Sequence, residues 1–121
     1  MSVSVPMREL FPDGVFPEAC PSRTLLDHVM SKWGFLVLLA LSEGEPLRWS
    51  ELRRRAQGVS EKMLAQTLRT LASDGLVERH ARPVVPPHVE YSLTPAGEQL
   101  AGHLVPLMRW IVGHAGDVDT S

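Results

Sequence analysis

The chain has 121 residues, 44% of them hydrophobic, with a net charge of -2. That length bounds it to one domain with one core, and the composition is ordinary for a folded soluble protein. No apolar run reaches the roughly 20 residues that span a bilayer, and no signal peptide is evident. The single cysteine, Cys20, excludes an internal disulfide and fits a reducing cytosol, the expected location.

The net charge argues against nucleic acid until its distribution is read. From Arg48 to His88 there are eight Lys/Arg against four Asp/Glu, a local charge of +4; the rest holds four against ten. Local charge decides where a polyanion docks.

Residues 1–19 hold Pro6, Pro12, Gly14 and Pro17 among scattered hydrophobes. They predict an irregular N-terminal arm that lies on something, either a partner subunit or the domain's own surface. Ser22 is a candidate cap for a helix reaching about Met30, with Leu25, Leu26 and Val29 inward. A second helix over Lys32–Leu41 is apolar almost all round, which places it in a core or an interface. Leu47 and Trp49 form an extended segment able to pair with a later hairpin.

Ser50 is read as the cap of a short helix whose Leu52 and Ala56 face inward. Its Arg53, Arg54 and Arg55 make a basic run, which is either a solvated face or a phosphate contact. Gln57-Gly58-Val59 is a tight turn. Ser60 then caps a longer helix through Asp74, with Glu61 suiting its positive end and Gly75 ending it. Leu64, Leu68 and Leu71 recur at i, i+4 and i+7 as one apolar stripe. The opposite face carries Lys62, Gln66, Arg69 and Ser73, with Thr70 at its edge. These are side chains that reach bases and phosphates, though any surface helix has a polar outer face.

Leu76–His80 reads as a strand, Arg82–Pro87 as a proline-stiffened connection, and Val89–Leu93 as the returning strand. The expected tip carries Arg82 and His88, with Arg79 and His80 at its base, an arrangement suited to the minor groove or the sugar-phosphate edge. Thr94-Pro95 starts a terminal helix running to about Val112. Its stripe is Leu100, Leu104, Leu107, Met108 and Ile111, with Trp110 nearby, and Pro106 should kink it. In a domain this small, such a helix is expected to pack on a second copy. Gly113–Ser121 reads as a frayed acidic tail. The fold class is therefore mainly α with a small antiparallel β-hairpin, a winged helix-turn-helix over residues 20–112.

Specific stretches also match a known family. They are Cys20-Pro21, Lys32-Trp33, Trp49-Ser50-Glu51-Leu52-Arg53, Gly58 through Leu64, Leu71 through Arg79, and Pro86 through Gly97. In that order they resemble the HxlR-type transcriptional regulators, bacterial winged-helix proteins related to the MarR group. The resemblance covers about residues 20–112. It implies a homodimer on a palindromic operator, terminal helices in the dimer interface, and control of transcription, more often repression. Two features depart from the family: Met30-Ser31 stands where two glycines are frequent, and the arm is long.

The resemblance also implies that some relatives sense oxidants or electrophiles through a cysteine at the place of Cys20. A thiol near a helix start is biased toward thiolate, and Arg23 adds to that. The reversible products would be a sulfenic acid, a mixed disulfide, or a Cys20–Cys20 bridge across the dimer. The plain alternative is an inert buried thiol. The five histidines form no zinc-ligand pattern, so no metal site is expected. No nucleophile elbow, paired-carboxylate site or phosphate-cradling glycine loop is present, so no enzymatic activity and no cofactor are expected. Trp33, Trp49 and Trp110 read first as core or interface residues, with a small-ligand pocket lined by Trp33 and Trp110 as the secondary reading.

The sequence thus points to a regulator of double-stranded DNA. Its expected contacts are Ser50, Arg53, Arg54, Ser60, Lys62, Gln66, Arg69, Thr70, Arg79, Arg82 and His88, with Cys20 as the candidate redox sensor. Two rivals remain: a winged-helix module that binds an acidic protein through the same surface, and a small-ligand-responsive regulator in which Cys20 is passive.

Overall fold

Helix caps and apolar stripes account for most of the elements in the computed structural model, which describes residues 5–116. In chain order these are α1 (Met7–Leu10), α2 (Pro21–Val29), α3 (Lys32–Leu41), β1 (Leu47–Arg48), α4 (Trp49–Arg55), α5 (Glu61–Ser73), β2 (Val77–Arg82), β3 (His88–Leu93) and α6 (Pro95–Ala115). The strands form one antiparallel sheet in the order β1-β3-β2.

The core is built around α3, which packs against α5 and α6. Val37, Leu38 and Leu41 of α3 meet Leu52 of α4 and Ala56 just after it, Leu64, Leu68 and Leu71 of α5, and Leu104 of α6. Trp33, Phe35, Leu36 and Leu39 are half-buried around it, as an all-round apolar helix requires. Ala56 and Val59, at the two ends of the turn between α4 and α5, are both buried and fix the angle between those helices.

Each end of α5 is closed by a specific cap. Ser60 Oγ accepts from the Met63 amide at 3.0 Å. At the other end Gly75, at φ +76°, turns the chain so that the Leu76 amide donates back to the Leu71 carbonyl at 3.0 Å. Thr94 Oγ likewise accepts from the Gly97 amide at 3.0 Å and starts α6.

Several expectations are corrected. The arm is not wholly irregular: α1 is a single helical turn, and Phe11 and Phe16 stack edge to face with centroids 4.7 Å apart. It lies on its own domain, where Arg23 of α2 donates to the Phe16 carbonyl at 2.9 Å. Ser22 does not cap α2. The helix starts two residues earlier, at Pro21, whose missing amide suits the first position, and Cys20 takes the cap position. Only Val29 of α2 is buried; Leu25 and Leu26 are 43% and 53% exposed, because nothing among the described residues covers them fully.

Ser50 does not cap α4 either. β1 ends at Arg48 and the helix begins at Trp49, with the Glu51 carboxylate accepting from the Arg48 amide at 2.9 Å. The strands run to Arg82 and from His88, longer than expected, because paired amides extend past the apolar residues. The helix α6 continues through Pro106 to Ala115, so Gly113–Ala115 are helical rather than frayed. The remainder of the expected tail, 117–121, lies outside the described residues.

Candidate nucleic-acid interface

The three leucines of α5 are almost wholly buried: Leu64 0%, Leu68 4% and Leu71 1% exposed. Thr67 is buried beside them. Anchoring at i, i+4 and i+7 leaves Lys62, Gln66, Arg69 and Ser73 exposed along the other side, with Thr70 half-buried. Ser60 is exposed at the helix start, where its hydroxyl is engaged as the cap. Nothing among the described residues covers this polar face. A cavity of about 180 Å³ between α2 and α5 is lined by Gln66 and Thr70 together with Asp27, His28 and Ser31.

The first helix of the pair, α4, presents Ser50, Arg53, Arg54 and Arg55 to solvent. Two of the arginines have acidic neighbours. Arg53 lies 3.8 Å from Glu61 across the turn, and Arg55 is paired with Glu43. Both partners are exposed, so these pairs are weak and give way to a stronger anion.

The register of the sheet sorts the wing residues onto two faces, since directly opposed residues point the same way. Leu47, Tyr91 and Arg79 form one row, and Val77 pairs with Leu93. This inner face turns toward α5, and a cleft of about 300 Å³ between them is lined by Trp49, Leu68, Arg69, Arg79 and Tyr91. Arg69 and Arg79 therefore lie together at the junction of helix and wing.

The outer face carries Arg48, Glu90 and His80 in one row and Arg82 opposite His88 in the next. Here the expected wing tip needs correction. Arg82 and His88 are the last register pair, and the turn beyond them holds Val84 and Val85, 50% and 99% exposed. His88 is also not free to reach outward: its Nε2 lies 2.9 Å from Glu90, and Arg48 contacts its Nδ1. The hydrogen bond from His88 is the main reason the Glu90 carboxyl sits below its ordinary range, helped by the charges of His88, Arg82 and Arg48 against partial desolvation.

Sequence reasoning missed two groups that matter here. Arg48 was counted only in the basic stretch, and Glu90 only as a strand residue. Their adjacency depends on the two-residue strand β1, which no periodicity reveals. A third is His28, whose Nδ1 lies 2.8 Å from Asp74 and joins α2 to the end of α5.

Cys20 is half-buried at the start of α2. Its Sγ is 2.9 Å from the Ser22 hydroxyl. That hydrogen bond, with the Ser22 amide, holds the thiol below its ordinary pKa despite partial desolvation. The sulfur faces an apolar cavity of about 310 Å³ between the arm and α2, lined also by Met7, Phe11, Phe16 and Leu26.

A capped helix with an exposed polar face, preceded by a basic helix and followed by an antiparallel hairpin, defines a winged helix-turn-helix. Residues 28–118 match the HxlR-like helix-turn-helix family. The chain is 56% identical over 104 residues to the uncharacterized HTH-type transcriptional regulator YtfH of Escherichia coli strain K12, covering 86% of this chain and 82% of that one. Among solved structures it resembles ytfH from Salmonella typhimurium, described as a transcriptional regulator, at 53% identity and TM-score 0.79, covering 85% of this chain and 91% of that one. It also resembles the oxidized form of the redox regulator HypR at 34% identity and TM-score 0.71, over 78% and 96% of the two chains.

The chain belongs to the HxlR-like helix-turn-helix family. It is a DNA-binding transcription regulator and not an enzyme. No single helix among the described residues is long and apolar enough to cross a membrane.

Proposed function

We propose that the protein is a dimeric repressor that reads a palindromic operator and is released by oxidants or electrophiles acting at Cys20. The observation that carries the DNA half of this reading is the exposed row Lys62, Gln66 and Arg69 backed by three buried leucines. In this reading α5 enters the major groove with Gln66 against adenine and Lys62 and Arg69 against guanine or phosphate. Ser50, Arg53, Arg54, Ser60 and Thr70 contact the backbone on either side. Arg79 and Arg82 follow along the wing, with His88 behind them.

Dimerisation is supported by apolar surface that a lone chain leaves in water. Leu25 and Leu26 of α2, Met30 at its C-terminal cap, and Leu107, Trp110, Ile111 and Val112 of α6 are each at least 38% exposed. Large exposed apolar patches mark interaction sites, and both helices flank the DNA-binding core. A two-fold pair would set half-sites about 34–36 Å apart, one DNA turn, or a multiple of that.

The redox half is supported by the lowered thiol pKa and by likeness to a redox regulator. A peroxide would oxidise the Cys20 thiolate by two electrons, its oxygen passing to sulfur as hydroxide leaves. The sulfenic acid would then condense with a small thiol, losing water, to give a mixed disulfide.

The two halves are tested together by titrating operator DNA with wild-type protein and with Gln66→Ala, Arg82→Ala and Cys20→Ser. Gln66→Ala should change the preferred base, and Arg82→Ala should weaken binding to all sequences and flatten its salt dependence. Cys20→Ser should hold DNA after peroxide treatment that releases the wild type. An unchanged base preference refutes the Gln66 role, and peroxide release of Cys20→Ser refutes the sensor.

A further inference from the structure

The outer face of the wing gathers basic side chains from all three strands around one carboxylate. Arg48 comes from β1, Arg82 from β2 and His88 from β3, and Glu90 lies among them. We propose that Glu90 marks, from within the chain, the seat of a DNA backbone phosphate that docks beside it, and that Arg48 and Arg82 are the groups that hold that phosphate when duplex binds. This rests on the reading of the chain as a DNA-binding winged helix and adds a contact and an internal competitor to it.

The chemistry fixes the arrangement. An arginine has only donors, so the Arg48 guanidinium can only donate toward the His88 ring, which it contacts at Nδ1. On the other side of the ring His88 Nε2 donates to Glu90 Oε2 at 2.9 Å. Arg82 Nη2 stands 3.9 Å from the other carboxylate oxygen, Oε1. Glu90 thus receives one direct hydrogen bond, one relayed guanidinium and one loosely paired guanidinium. A phosphodiester carries the same single charge on two free oxygens, so the donors suited to the carboxylate also suit it.

The balance of charge leaves the seat short of an anion. Two arginines face the Glu90 carboxylate, and the other acid beside Arg48, Glu51, is engaged by the Arg48 backbone amide. The next group in the row, His80, is engaged elsewhere, with Nε2 2.9 Å from Ser92 Oγ and 3.5 Å from Glu78. Arg82 is 65% exposed and swings outward at little cost, whereas Glu90 and His88 are 24% and 17% exposed and stay in place. Arg48 immediately precedes α4, so the seat joins the wing to the helix whose Ser50 and Arg53 flank the same backbone. A DNA phosphate arriving there competes with Glu90 for both guanidinium groups, and the carboxylate holds affinity below what the cations alone would give.

The test is fluorescence anisotropy of a labelled mixed-sequence duplex, titrated with the full chain over a series of salt concentrations. Glu90→Gln keeps the shape and removes the charge. It should tighten binding about threefold to tenfold and steepen the slope of log affinity against log salt by about one phosphate contact. Arg48→Ala should weaken binding and flatten the slope by a similar amount. The decisive arm is the double variant. If Glu90 competes for the seat, most of the Glu90→Gln gain vanishes in the Arg48→Ala background. If the gain persists in full, or equals that of Glu78→Gln on the same face, the effect is general charge and the proposal is overturned.

No change in either single variant, while Arg69→Ala weakens binding, overturns the seat and leaves the DNA reading standing. No binding by the wild type at low salt overturns both. Glu90→Ser serves as a second charge-removing variant, and thermal melts of every variant exclude unfolding as the cause.

Discussion

Gly97 offers a sharp test of how α6 is seated on the DNA-binding core. It lies in the first turn of α6, and a β-carbon built there would stand 2.1 Å from the Leu76 carbonyl oxygen and 3.1 Å from its carbon. An ordinary carbon-oxygen contact needs about 3.3 Å, so Gly97→Ala must push the helix and the strand apart by roughly 1 Å. Leu93 Cδ2, at 3.2 Å, blocks the easy sideways escape.

The same carbonyl accepts the Thr94 amide at 3.1 Å, and Thr94 Oγ1 donates to the Gly75 carbonyl at 2.6 Å. The shift therefore strains the joint that ends α5 and starts β2. Overpacking of this severity costs about 3 kcal/mol, a weakened buried hydrogen bond adds about 1, and the better helix propensity of alanine returns about 1. The net of about 3 kcal/mol corresponds to a fall in Tm of roughly 10 °C for a chain of this size. Gly102→Ala is the internal control. It is on the same helix with nothing within 4 Å of the added carbon, so only the propensity gain of up to about 1 kcal/mol applies. Melts followed by circular dichroism at one protein concentration measure both. A Gly97→Ala variant that melts within about 3 °C of wild type would refute the close approach of α6 to the end of α5.

Three further outcomes follow from the site. Because the Ser22 hydroxyl lowers the Cys20 pKa, alkylation of the folded protein by iodoacetamide should reach half its maximal rate at a lower pH than in denaturant. Ser22→Ala should move that midpoint upward, and coincident folded and denatured profiles would contradict the assignment. Trp110→Glu, at a position 60% exposed on α6, should leave the fold intact but convert a dimer to monomer in sedimentation; an unchanged mass would place the interface elsewhere. Leu64→Ala, at a side chain 0% exposed, should cost about 2–5 kcal/mol in urea unfolding, and a loss under 1 would mean that α5 is not anchored as described.

Much of this fold was legible because α5 signals itself three times over. It has a serine at one end, a glycine at the other, and leucines at i, i+4 and i+7 between them, all pointing to the same element. The α2 helix shows the limit of that logic. Periodicity placed Leu25 and Leu26 on the inward face, but it cannot say whether the chain itself or another molecule covers them, and the described residues leave both exposed. The cap of α2 was misplaced because two signals competed, a serine and the proline before it, and the fixed proline φ won.

At the wing the two long strands were readable from their β-branched and aromatic residues. Which side chains share a face was not, because one step of register moves every residue to the other side. The pairing of Arg48 with Glu90 depends on a strand two residues long. For that reason Arg82 and His88 were expected at the tip, when they lie just behind it facing a carboxylate.

The most direct measurement of the central claim is selection of bound duplexes from a random-sequence pool by the purified protein, repeated with Gln66→Ala and with Lys62→Ala/Arg69→Ala. The expected result is an inverted repeat with half-sites one helical turn or a multiple apart. One base per half-site should lose its preference with Gln66→Ala, and recovery should fall sharply with the double variant. A pool that returns no common sequence, or one returned unchanged by all three substitutions, would contradict the assignment of α5 as the helix that reads DNA.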